Sequence, residues 1–89
     1  MNYSTIVAAT RVIHFGTRNS VYRFTYEAGA QYGMLEGLTG TFVGAAPYPI
    51  SVEDIRDLAW PGERVEARDM AGDVVFRSTP VTWESRPPM

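Results

Sequence analysis

Apolar and polar residues alternate through Ile6 to Phe15 and again through Val21, Tyr22, Arg23, Phe24, Thr25 and Tyr26. Thr17, Arg18, Asn19 and Ser20 separate the two runs. A period of two in β-branched and aromatic side chains marks a strand with one buried face, so residues 13–26 predict a β-hairpin. Its arms are expected over residues 5–15 and 20–27. Asn19 is the turn residue best able to take a positive φ, and Ser20 can bond local backbone. Register matters because a slip of one residue turns every side chain over. Setting Phe15 opposite Val21 and His14 opposite Tyr22 puts Ile6, Ala8, Val12 and His14 on one face with Tyr22, Phe24 and Tyr26. It also keeps Arg11, Arg18 and Arg23 in water. The rival register, Phe15 opposite Ser20, brings Arg11 onto the aromatic face, and the cost of burying an unpaired guanidinium argues for the first.

Past the hairpin the pattern is more broken. Residues 28–36 hold Gly29, Tyr32 and Gly33 and read as a loop, and residues 37–44, with Leu38, Phe42 and Val43 among glycines, read as a short bent third strand. Pro47 and Pro49 around Tyr48 exclude a central strand there. Ser51 three residues before Asp54 is an N-cap signal, and Val52, Ile55 and Leu58 form one apolar stripe. A short helix is expected to end near Ala59, stopped by Trp60, Pro61 and Gly62. Residues 64–70 and 74–77 make a second hairpin about Ala71, Gly72 and Asp73. Pro80 interrupts the return arm, leaving residues 81–84 as a separate edge segment or a bent continuation, and residues 85–89 as a frayed tail. The sum is one domain over residues 1–89, mainly β: a small SH3-like or partly open β-barrel of about five to six antiparallel strands with one short helix.

Composition narrows the picture. A chain of 89 residues buries only about 60 to 65% of its unfolded surface. Five Tyr, four Phe and two Trp within 45% apolar content are enough for one core. There is no cysteine, which excludes disulfides, thiolate nucleophiles and Cys-ligated zinc. With no basic leader followed by an apolar stretch, and no apolar run near the roughly 20 residues that span a bilayer, a cytoplasmic location is expected. The net charge of -2 disfavours a general nucleic-acid coat. Charge is uneven along the chain: Arg11, Arg18 and Arg23 are the only charged residues before Glu27, whereas acids outnumber arginines after Ser51. Such polarity can orient a domain on a partner. Every basic side chain is Arg, a bias that GC-rich coding also produces.

The stretch Thr17-Arg18-Asn19-Ser20-Val21-Tyr22, with Gly72, Val74, Val75, Arg77, Ser78, Pro80 and Val81 near the end, resembles short uncharacterised proteins of actinobacteria and their phages. The likeness covers about a third of the chain and rests on a T-x-N-S-x-Y stretch. It implies a β-rich fold and no reaction, and it implies a host cytoplasm if the protein is phage-encoded. Residues 28–36 and the helix after Ser51 depart from that pattern.

Chemical signatures are sparse. His14 is the only histidine, so neither a histidine metal site nor a triad can be assembled, and the pair His14 and Ser20 lacks an orienting third group. Glu53, Asp54 and Asp57 lack the ligand spacing of a calcium loop and suit a helix start instead. Gly37, Gly40 and Gly44 follow no phosphate-binding pattern. No catalytic residue, metal or cofactor is therefore expected, and the chain reads as a non-enzymatic binding or assembly module. Tyr32, Tyr48 and Trp60 stand in Gly- or Pro-bounded segments, as plugs over the barrel or as contacts to a partner protein that is host, virion or self. Residues 81–84 could add an edge for a partner strand. The alternative is a single-stranded nucleic-acid binder, using Arg11, Arg18 and Arg23 with the hairpin aromatics.

Overall fold

In the computed structural model, which describes residues 9–40 and 42–86, the first hairpin pairs β1 (Thr10–Thr17) with β2 (Val21–Glu27). The expected register is off by one. Gly16 faces Val21, Phe15 faces Tyr22, Ile13 faces Phe24 and Arg11 faces Tyr26. The inner face is therefore built from Ile13, Phe15, Tyr22 and Phe24, all buried, while Val12 and His14 lie on the other face with Arg23 and Thr25. Pairing large apolar residues with one another wins because each removes its own area from water. The penalty assigned to Arg11 does not arise, since Arg11 stands near the end of the ladder, half-buried at an open cleft. Thr17 belongs to the strand, and its N–H donates to the Ser20 carbonyl at 2.8 Å. Asn19 is not left-handed: among the described residues only glycines have positive φ.

β3 (Tyr32–Thr39) pairs antiparallel with β2 and starts well before the expected position, leaving only residues 28–31 as loop. Two of its inward positions are Gly33 and Gly37, which carry no apolar signal, so the alternation around Leu35 was hidden in the sequence. The short β4 (Gly44–Ala45) and β5 (Ile50–Ser51) both lie along the outer edge of β3. Helix α1 (Val52–Leu58) follows, with the Ser51 hydroxyl accepting from the Asp54 N–H as its spacing predicts. The Asp54 carboxylate in turn accepts from the Arg68 N–H at 2.9 Å, tying the helix start to the second hairpin.

That hairpin pairs β6 (Arg64–Arg68) with β7 (Val74–Ser85). β7 runs through Pro80 without a break. Before the proline the strand pairs with β6, and after it with β1, so this one strand joins the two hairpins. Val81 uses both backbone groups, donating to Glu63 and accepting from Gly62. Residues 81–84 are thus built into the sheet along β1 rather than standing as a separate edge segment. Ser85, expected in the tail, pairs with His14. The resulting order, β4-β3-β2-β1-β7-β6 with β5 also on β3, is a curled, partly open antiparallel sheet with one short helix. The expectation of a mainly β, partly open barrel holds, and among the described residues there are five long strands and two of two residues each.

The concave side holds the core. Phe15 stacks on Tyr22 and Tyr22 meets Phe76 edge-on, each pair with ring centroids 5.1 Å apart. Leu35, Ile50, Ile55, Val65 and Val81 fill the remaining space. Gly16 has a special role on the convex side: a Cβ there would lie 2.1 Å from Trp83 Nε1, so the indole rests on bare backbone.

A candidate protein-binding groove beside the helix

Trp60 is placed by a tight turn. The helix closes with the Ala59 N–H on the Ile55 carbonyl, and the Glu63 N–H then bonds the Trp60 carbonyl at 2.9 Å. Pro61 and Gly62 occupy the middle of this turn, and Gly62 has φ +94°. Proline followed by a left-handed glycine is the requirement of a type II turn, so the run Trp-Pro-Gly-Glu projects the indole from the end of the helix. Trp60 is 42% exposed.

Arg86 holds it there. Its guanidinium carbon lies 3.8 Å from the centre of the Trp60 ring. Nη2 donates to the Ala59 carbonyl at 2.8 Å, Nη1 to the Arg56 carbonyl at 2.9 Å, and Nε to Glu84 Oε2 at 2.9 Å. One planar cation thereby caps the helix C-terminus, where a positive charge is favoured, and covers one face of the indole. The pair with Glu84 is largely buried, with side-chain exposures of 13% and 19%. The frayed tail expected over residues 85–89 does not extend to Arg86, whose docking depends on the pairing of β7 with β1.

The indole borders a cleft of about 200 Å³ lined by Arg11, Ile13, Tyr26, Arg56, Asp57, Trp60 and Arg86. A wider, more polar cleft of about 480 Å³ adjoins it and shares Tyr26 and Arg56, with Gln31, Tyr32 and Glu53 among its walls. Tyr32 and Trp60 are therefore brought to two adjoining clefts beside α1 that have Tyr26 and Arg56 in common. Tyr48 is not: it is 38% exposed over a separate apolar cleft with Leu35, Phe42, Ile50 and Phe76. Tyr26 and Arg56 were missed as groove residues. The helix stripe, with Ile55 buried, puts Arg56 on the solvent side, but nothing in the sequence aims that side at Tyr26.

The three hairpin arginines do not form one surface. Arg11 enters the groove on the inner face, Arg18 sits exposed in the turn at the other end of β1, and Arg23 lies on the outer face. There Arg23 Nε donates to Glu36 Oε1 at 3.0 Å, across a β2–β3 pair. His14 and Ser20 are also apart, with His14 on the outer face opposite Arg23 and Ser20 buried in the turn. Among the described residues no three His, Cys, Asp or Glu side chains are grouped to hold a metal ion, and no helix is long and apolar enough to cross a membrane.

No protein-family model, curated protein or solved structure matches this chain.

Proposed function

We propose that the chain is a non-enzymatic protein-binding module that receives a segment of its partner in the groove between α1 and the open end of the first hairpin. The observation that carries this reading is Trp60: a large aromatic left half-exposed, yet fixed in orientation by the Arg86 guanidinium and by its turn. A rigid aromatic loses little conformational freedom on contact, which is why such residues dominate binding energetics. Tyr26 and Tyr32 extend the aromatic surface along the groove. The resemblance to short actinobacterial and phage proteins suggests the setting, an accessory protein of a mobile element whose partner is a host or virion protein.

A displayed random peptide library panned against the immobilised chain tests the groove. Enriched peptides should lose roughly tenfold or more in affinity on Trp60→Ala, as expected of an anchoring aromatic. Tyr32→Ala should weaken them less, and Tyr48→Ala not at all. Failure to enrich any peptide sensitive to Trp60→Ala defeats the groove reading. Retardation of a single-stranded oligonucleotide at low salt, abolished by Arg18→Gln with Arg23→Gln, would favour the nucleic-acid alternative instead.

A further inference from the structure

The narrow cleft beside Trp60 carries more information than its shape. Its walls hold three guanidinium groups, Arg11, Arg56 and Arg86, and one carboxylate, Asp57, in a chain whose net charge is -2. Two of the cations are already matched. Arg86 pairs with Glu84, and Arg56 Nε meets Asp57 Oδ1 at 3.2 Å. Arg11 has no ion-pair partner among the described residues. It stands opposite Tyr26 in the β1–β2 ladder, on the same wall as Ile13.

We infer that the partner segment is anchored by one acidic side chain whose carboxylate is received by Arg11 on the wall of this cleft. This rests on the protein-binding reading of the groove and adds the chemistry of the occupant. The narrow cleft, about 200 Å³, has room for one side chain. The apolar surfaces of Tyr26, Trp60 and Ile13 take the methylene stem of a Glu or Asp. A guanidinium in such surroundings forms shorter, stronger hydrogen bonds to a carboxylate than to a neutral acceptor. Arg56 lines both clefts but is already paired with Asp57, which leaves Arg11 as the guanidinium open to the ligand.

The test uses the intact chain and the peptides enriched on it in the library panning. Sequences that depend on Trp60 should share one Asp or Glu position, and replacing that residue with Gln or Asn should weaken binding roughly tenfold. Arg11→Gln should weaken them by a similar factor and Arg56→Gln by less, with thermal unfolding unchanged for both because neither side chain supports the core. Arg11→Lys should restore part of the loss. Peptides that need Trp60 but have no shared acidic position, or that bind Arg11→Gln as well as they bind the parent chain, overturn the acidic anchor and leave the groove standing. If no enriched peptide needs Trp60, both conclusions fall together.

Discussion

Replacing Arg86 with Ala removes, in one step, the cap of the helix, the partner of Glu84 and the cover of Trp60. Each of the three hydrogen bonds it makes is charge-assisted and spans 2.8 to 2.9 Å. Hydrogen bonds to charged groups are worth about 1.5 to 3 kcal/mol singly, but these share one cation and do not add. Deleting it leaves the Glu84 carboxylate, 19% exposed, without its counter-ion, and breaking such a pair by one partner costs roughly 3 to 5 kcal/mol when burial is complete. Partial exposure of the pair lowers this, and loss of the cation–π contact returns about 0.5 to 1 kcal/mol. The expected destabilisation is about 3 kcal/mol, or a fall in Tm of roughly 12 to 24 °C for a domain of this size. Urea unfolding followed by circular dichroism measures the loss, and tryptophan emission of the native state should shift to the red as Trp60 is released. Arg86→Lys keeps the charge without the planar fork and should recover about half. Arg77→Ala is the control, since its pair with Glu66 is exposed at 69% and 56% and should cost less than about 1 kcal/mol. An Arg86→Ala protein as stable as Arg77→Ala would refute the view that this residue fixes the groove.

Other outcomes follow from the same packing. Gly16→Ala drives a methyl group into the Trp83 indole and should destabilise by about 1 to 3 kcal/mol; the double variant with Trp83→Ala should lose less than the two single losses together, measured by denaturant unfolding. A double-mutant cycle on Arg23 and Glu36, whose side chains are 41% and 40% exposed, should give a coupling of about 0.2 to 1 kcal/mol that shrinks in high salt. Ser51→Ala removes the acceptor for the Asp54 N–H and should cost about 0.5 to 1 kcal/mol, the low end for an N-cap because the bond is long at 3.4 Å.

The groove also explains why the charged residues of the first half could not be assigned from their order in the chain. Arg11, Arg18 and Arg23 read as one basic group when only the hairpin is considered. Their separation onto an inner face, a turn and an outer face follows from the true register and from Glu36, which comes from the neighbouring strand. The expected register failed for a related reason: it priced the desolvation of Arg11 as though the whole inner face were sealed, whereas the sheet curls open there.

The sequence by itself determined the elements with strong local chemistry. The first hairpin follows from alternation, the helix start from Ser51 and Asp54, the helix end from Ala59 through Gly62, and the second hairpin from its Ala-Gly-Asp turn. It also determined that a mainly β, partly open barrel would result, because short alternating strands joined by turns must curl to bury one face. Tertiary structure alone decided where β3 begins, since Gly33 and Gly37 carry no hydrophobic signal, and that β7 runs through Pro80 by changing partners there. It decided the groove as well. Arg86, Arg56, Tyr26 and Arg11 are far apart in the chain and acquire a common role only when β7 closes on β1, because the hydrogen bonds and ring contact that orient Trp60 run between elements, and no local pattern records them.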